Sequence, residues 1–297
     1  MDTLEAMSVF VRVVERGSFS AVARELGTTQ PTVSKQISAL EQHLGGRLIA
    51  RSTRQLSLTD EGQRYYRQCR DILAAVDNAE HSFQTGREAV AGPLRIASSV
   101  SFGRLQIAPR LHGFLQRHPD VTIDLLLNDQ NVDLVSEGVD VAIRIGDLQD
   151  SSLLARQIGL TRRLIVAAPA YLYAHPAPRT PADLAQHNCI LFNLLARFDT
   201  WRFDDGAHEV QVKGNVRSNN SEAIRQVVLS GLGISLSPSW LYREDMAAGR
   251  VQQLLPTHTP TALPIHAVYP VNRRESARVR AFVDFLAEGF AADEDLR

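Results

Sequence analysis

Along the first 85 residues the apolar positions recur at intervals of three and four. Leu4, Met7, Phe10, Val11 and Val14 form one stripe, entered through Asp2 or Thr3 as a cap and left near Arg16 and Gly17. Ser18 caps a second helix with Phe19, Val22, Ala23 and Leu26 on one face and Gly27 as its stop. Thr28 and Thr29 start a third, in which Pro31 takes a tolerated first-turn position and Val33, Ile37, Leu40 and Leu44 share a buried stripe. Two short helices joined by a glycine turn, with the first completing their core, have helix-turn-helix form. After Gly45 and Gly46 the segment alternates and predicts a small β wing carrying Arg47, Arg51 and Arg54; a basic surface loop is the plainer alternative.

Thr59, Asp60 and Glu61 open a long helix, with Tyr65, Cys69, Ile72, Val76, Ala79 and Phe83 in a heptad seam. A helix of this length is expected to stand outside the compact domains. Its seam packs either on a second copy of itself or on its own chain's domain. Gly86 and then Ala91, Gly92 and Pro93 end it.

Beyond that hinge the pattern changes. Strands are predicted at 94–97, 121–127 and 139–145, a helix through Leu105, Ile107, Leu111 and Phe114 closed by His118 and Pro119, and a short helix at 132–137. Such alternation argues for a parallel sheet covered by helices. Further strands are predicted at 164–168, 189–192, 201–203, 210–213 and 216–218, a helix at 222–230, and a buried strand within 231–236. A strand at 266–269 and a helix through Val279, Phe282, Val283 and Leu286 complete the chain. Two α/β lobes therefore occupy its last two-thirds.

Length and charge narrow the picture. A chain of 297 residues suits two domains or one domain with an appendage. The net charge of −1 hides an uneven distribution, for between Arg12 and Arg70 ten basic residues face five acidic ones, and phosphate contacts are expected there. Cys69 and Cys189 form neither a disulfide framework nor a metal-ligand set. No apolar run reaches the roughly 18 residues of a membrane span, and acidic Asp2 and Glu5 stand where a secretory leader would be basic. The cytoplasm is the expected compartment.

The third helix turns Gln30, Thr32, Ser34, Lys35 and Ser38 away from its apolar stripe. These are short or flexible hydrogen-bonding groups and one cation, suited to base edges and phosphates in a major groove. An ordinary solvated face would carry more Glu/Lys pairs. A rival reading is an enzyme with α/β catalytic lobes and a DNA-binding appendage. The chain has no glycine-rich phosphate loop followed by lysine, no G-x-S-x-G elbow and no Cys/His metal pattern, and the lobe histidines are scattered. Catalytic sets can nevertheless assemble from distant segments, so that alternative stays open.

The runs FVRVVERGSFSAVAREL at 10–26, QPTVSKQISALE at 30–41 and LSLTDEG at 56–62 resemble the LysR-type transcriptional regulators, as do DLVSEGVDVAIRIG at 133–146 and SGLGISLSP at 230–238. The resemblance covers essentially the full chain and is most specific at the N-terminal end. It implies an α+β multidomain fold: a winged helix-turn-helix at 1–60, a coiled-coil linker helix at 61–90, and at 91–297 a two-lobed α/β effector domain similar to periplasmic binding proteins. The lobes are expected at 91–161 plus 268–297 and at 162–267, the last segment returning to the first lobe. Also implied are a homodimer through the linker helix, a homotetramer, a pseudo-palindromic site on double-stranded DNA, contact with RNA polymerase, and no membrane partner.

Mapped onto this sequence, the DNA contacts are Gln30, Pro31, Thr32, Ser34, Lys35 and Ser38 in the recognition helix and Arg51, Thr53 and Arg54 in the wing. No metal or cofactor is called for. A small organic effector, anionic in character, is expected between the lobes. Ser98, Ser99 and Ser101 would meet it at a helix start, though they serve equally well as caps. Phe192, Asn219, Asn220 and Ser221 would meet it from the other lobe, and Arg144 and Gly146 from the end of the third strand, where Arg144 equally suits an ion pair. Phe102 or Trp201 could pack on the effector, with core or surface packing the favoured alternative. The function so implied is a sequence-specific regulator whose effector alters the placement of its oligomer on DNA.

Overall fold

The computed structural model of the protein describes residues 2–50, 56–85, 90–130, 133–135, 137–148, 153–195, 197–273 and 276–297. The chain forms two compact units, one built mainly on residues up to Pro93 together with the short segments 120–122 and 135–138, and one on the remainder.

In the first unit, α1 (Thr3–Arg16), α2 (Phe19–Glu25) and α3 (Gln30–Leu44) begin where their caps lie. Asp2 Oδ1 accepts from the Leu4 N–H at 3.0 Å, Ser18 Oγ from the Ala21 N–H at 3.3 Å and Thr29 Oγ1 from the Thr32 N–H at 3.4 Å. Gly17 and Gly45 end α1 and α3 with φ of 61° and 71°, a left-handed turn that costs glycine nothing. Val9, Phe10, Val13, Val22, Val33, Ile37 and Leu40 share one core, each fully buried side chain contributing about 1.5–3 kcal/mol. Leu4, Leu26 and Leu44, expected in the stripes, are instead 42%, 38% and 40% exposed. Each lies in a terminal turn, past the overlap of three short helices.

β1 (Ile49–Ala50) pairs antiparallel with β2 (Ser57–Leu58) to form the base of the wing. α4 (Asp60–Thr85) follows, its first turn capped by Thr59, whose hydroxyl accepts from the Gly62 N–H at 2.9 Å and donates to the Arg47 carbonyl at 2.6 Å. The expectation that this helix stands clear of the others is corrected. Tyr65 and Cys69 pack into the three-helix core, with the Phe10 and Tyr65 ring centroids 5.9 Å apart. A heptad stripe specifies an apolar face but not its partner, and here the stripe divides. Its first members are used within the chain, whereas Ile72 and Ala79 are exposed. The Phe83 side chain and Gly86 lie outside the described residues.

The second unit runs in order through β3 (Gly92–Ser98), α5 (Val100–Phe102), a π-turn at Gly103–Ile107, α6 (Ala108–Arg117), β4 (Val121–Leu127), β5 (Val141–Ile145) and β6 (Leu154–Thr161). It continues with β7 (Arg163–Ala167), α7 (Pro169–Ala174), β8 (Cys189–Phe192), β9 (Thr200–Phe203), β10 (His208–Gln211), β11 (Arg217–Ser218) and α8 (Ser221–Leu229). β12 (Ile234–Pro238), α9 (Ser239–Ala247), β13 (Gln252–Leu254), β14 (Leu263–Tyr269) and α10 (Ala277–Ala291) complete it. Two five-stranded sheets result, ordered β4-β3-β5-β14-β6 and β11-β8-β12-β7-β13, while β9 and β10 form a separate hairpin.

The expected parallel sheet is mixed. β3 runs parallel to β5, and β8 to β11 and β12, but β14 is antiparallel to β5 and β6, and β12 and β13 are antiparallel to β7. β14 returns from the other lobe without a crossover helix, so nothing obliges it to run parallel. That strand begins at Leu263, so the chain rejoins the first sheet there rather than at 268, and Pro264 conceals the start by interrupting the alternation. The helix expected at 132–137 is not formed among its described residues, which make turns; Val132 and Ser136 lie outside them. α10 closes the first lobe by burying Val279, Phe282, Val283, Leu286 and Phe290. Trp201, Phe203, Tyr171 and Ile234 anchor the core of the second.

Candidate DNA interface and effector cleft

Burial of Val33, Ile37 and Leu40 sets the rotation of α3. Gln30, Pro31, Thr32, Ser34, Lys35 and Ser38 are all exposed as a consequence, so the structure gathers the six expected helix residues on one outward face. The Thr32 hydroxyl sits 2.9 Å from Thr29 Oγ1, tying the first turn together. Gln36, on the flank, donates instead to Glu5 Oε1 at 3.2 Å. Lys35 makes no ion pair among the described residues, which leaves its charge for a phosphate or a base. Arg51, Thr53 and Arg54 lie outside the described residues; exposed Arg47 marks the foot of the wing.

Two residues that sequence reasoning passed over hold this surface together. Glu41 Oε1 accepts from the Leu48 N–H at 2.8 Å and the Ile49 N–H at 3.1 Å, fixing the wing against the end of α3. Gly62 lets the first turn of α4 abut the residue that precedes β1, for a Cβ there would lie 1.9 Å from the Leu48 carbonyl oxygen. Glu41 was legible as an acid near the positively charged wing. The Gly62 contact had no local signal.

In the second unit the α5 start faces the α8 start. Ser99 makes no side-chain cap bond. The Val100 N–H donates instead to Asp129 Oδ1 at 2.9 Å, and Asp129 Oδ2 accepts from Asn220 Nδ2 of the other lobe at 2.8 Å. Asn220 also caps α8, its Oδ1 accepting from the Ala223 N–H at 2.9 Å. Arg104 Nε donates to Glu222 Oε1 at 2.9 Å, a second polar link between the lobes. Ser98 Oγ and Ser101 Oγ are buried beside the α5 start and have no hydrogen-bond partner among the described residues. Asp129 was missed, although it follows the carboxyl end of β4, where ligand-facing residues of α/β sheets collect.

The remaining expected residues are less uniform. Asn219 is exposed, and Phe192 and Ser221 are half-buried. Gly146 faces the other lobe, with Leu195 Cδ2 3.6 Å from where its Cβ would be. Arg144 is half-buried, and burial lowers its guanidinium below the ordinary value. Phe102 is corrected from cleft wall to core: it is fully buried, with ring centroids 5.5 Å from Trp240 and 5.7 Å from Phe290. Trp201 is likewise a core residue. A surface basin of about 670 Å³ lies elsewhere, lined by Arg110, Arg243, Gly289 and residues 292–295, and those arginines are already paired with Asp293 and Asp295.

Residues 4–63 match the family described as bacterial regulatory helix-turn-helix protein, lysR family, and residues 87–291 match the LysR substrate binding domain. The chain belongs to the LysR family. Among its relatives is the HTH-type transcriptional regulator DmlR of Escherichia coli, 37% identical over 291 residues that cover 97% of this chain and 94% of that protein. The solved structure of CrgA, a LysR-type transcriptional regulator from Neisseria meningitidis, is 34% identical, covers 96% of this chain and 98% of its own, and superposes with a TM-score of 0.61. The full-length Vibrio cholerae virulence activator AphB gives 29% identity over 96% and 98%, with a TM-score of 0.57. This LysR-family chain thus pairs a helix-turn-helix with a two-lobed regulatory domain, as the sequence motifs implied. No helix among the described residues is long and apolar enough to cross a membrane.

Proposed function

We propose that this LysR-family chain is a ligand-responsive transcriptional regulator rather than an enzyme. It reads DNA through the outward face of α3 and closes its two lobes on a small organic effector. The observation that carries the first half is the joint exposure of Gln30, Pro31, Thr32, Ser34, Lys35 and Ser38 opposite a buried stripe. Ser34 and Lys35 contact base edges or phosphates, and Arg51, Thr53 and Arg54 extend the contact through the wing. Ile72 and Ala79, exposed on α4, pair with a second copy, setting two α3 helices on a pseudo-palindromic site. Two such dimers form the tetramer, which acts in the cytoplasm and contacts RNA polymerase at promoters.

The effector's polar group meets Ser98 Oγ, Ser101 Oγ and Asn220. An anionic group takes over the Val100 N–H that Asp129 now occupies. Ser99, Asn219, Ser221, Phe192, Arg144 and Gly146 border the same cleft. Closure shifts a pre-existing equilibrium by no more than the effector's differential affinity for the two states, and that shift repositions the dimers on DNA.

The test is selection of genomic fragments by the purified protein beside a Ser34→Ala/Lys35→Ala double variant. Enrichment of dyad-symmetric sites near promoters, lost in the variant, is the expected result. Absence of enrichment at every salt concentration would overturn the reading.

A further inference from the structure

Among the described residues of the second unit, Asp204 after β9, His208 at the start of β10 and His258 between β13 and β14 converge. Asp204 Oδ2 lies 2.8 Å from His258 Nδ1 and 3.9 Å from His208 Nε2, and the three atoms fall within 4.8 Å of one another. Two nitrogens and an oxygen bound tetrahedrally at about 2.0–2.1 Å would stand about 3.3 Å apart. The carboxylate and His258 therefore need to part by about half an ångström, and His208 to draw in by about as much on the carboxylate and by up to about 1.5 Å on His258, which rotation of its exposed side chain supplies.

Two further observations separate this group from a chance surface ion pair. Asp204, Asp205 and Leu255, with φ of 52°, 53° and 50°, are the only non-glycine residues with positive φ among those described. All three lie in the two loops that bring the ligands together; aspartate takes this conformation readily in a turn such as Asp204-Asp205-Gly206, whereas for Leu255 it is disfavoured. The carboxylate is also oriented from behind: Asp204 Oδ1 accepts from the Thr259 N–H at 2.8 Å, which leaves Oδ2 facing the imidazoles. The two rings stand 5.6 Å apart and nearly perpendicular rather than stacked, and His258 Nδ1 and His208 Nε2 are the ring atoms nearest the carboxylate. The His208 side chain is 55% exposed, giving an ion an entry path and room for a water as fourth ligand.

We propose that Asp204, His208 and His258 form a site for a divalent transition ion of the zinc class. Imidazole favours zinc, copper or nickel over magnesium and calcium, which take oxygen ligands. The bound ion clasps the β9–β10 hairpin to the loop that carries the chain from the second sheet into the first, and it requires none of the proposed DNA or effector contacts.

The test uses the tag-free full-length protein, stripped with a chelator and titrated with Co²⁺ as a spectroscopic substitute for Zn²⁺. Expected are the visible absorption bands of a low-symmetry site, saturating at one equivalent per chain, displaced by Zn²⁺ and insensitive to Mg²⁺. His208→Ala, at an exposed position, abolishes the bands while leaving circular dichroism unchanged. Asp204→Asn, which keeps an acceptor for the Thr259 N–H, weakens binding about tenfold or more. A spectrum of hydrated Co²⁺ alone, or binding unaltered in His208→Ala, would overturn the proposal.

Discussion

Asp129 and Asn220 join the two lobes of the regulatory unit, the carboxylate accepting from Asn220 Nδ2 at 2.8 Å while its other oxygen holds the Val100 N–H at 2.9 Å. A negative charge is thus fixed where the α5–α6 helical run begins, the end at which the helix dipole favours one. Asp129→Ala removes both bonds and leaves an orphan N–H. The expected loss is about 1–2 kcal/mol in urea denaturation, with faster limited proteolysis of this unit. An unchanged midpoint and unchanged proteolysis would show that the bridge contributes nothing.

Gly62→Ala inserts a methyl group 1.9 Å from the Leu48 carbonyl oxygen. The obstacle is backbone, so the wing or the first turn of α4 must shift, and a loss of about 2 kcal/mol or more is expected. Gly46→Ala meets nothing within 4 Å and serves as the control, with a change within about 0.5 kcal/mol. Equal melting of the two variants would contradict the packing described.

The Asp245 carboxylate is buried between two guanidiniums, accepting from Arg225 Nη2 at 2.8 Å and from Arg250 Nε at 2.7 Å. Burial pushes its pKa up, but the hydrogen bonds from Arg225 and Arg250 outweigh this, and the folded value lies below the ordinary one. A carboxyl so lowered adds stability that is fully present above its unfolded pKa of about 3.9 and lost as pH falls through the folded value. Asp245→Asn is therefore expected to cost about 2 kcal/mol near neutrality, less than for a fully enclosed pair because both arginines reach water, and progressively less in acid. Urea denaturation of both proteins across that range checks it; a deficit independent of pH would refute the electrostatic origin.

Burial pushes the Cys69 thiol up to about 11 and the Cys189 thiol up to about 12. Only thiolate attacks a disulfide reagent, so neither residue should react in the folded protein at mildly alkaline pH. Titration with an aromatic disulfide is expected to find no accessible thiol in native protein and both in denaturant. Rapid native reaction at either position would show that its element opens readily.

Local signals made much of this fold legible. Caps and αL glycines mark α1 and α3, and β4 and β8 fall where apolar runs are bounded by turn residues. β6 escaped notice because it is an edge strand whose residues 155–157 are exposed, leaving little apolar alternation to read. The docking of α4 was hidden for a different reason, since Tyr65 and Cys69 would look the same whether they met Phe10 or a second chain. At the candidate sites, the α3 face follows from its own periodicity. Asp129 and Asn220 are 91 positions apart, and Asp204 and His258 are 54 apart, so only the folded chain brings them together.

The most direct test of DNA reading by α3 is the salt dependence of binding for wild type and Lys35→Ala on a fragment enriched by the genomic selection. If Lys35 holds a phosphate, the variant binds every sequence more weakly and the slope of log K against log salt flattens by about 0.9; if it reads a base, specificity relaxes at one position of the site. Equal affinity, unchanged slope and unchanged specificity would contradict both assignments and remove the α3 face from the account.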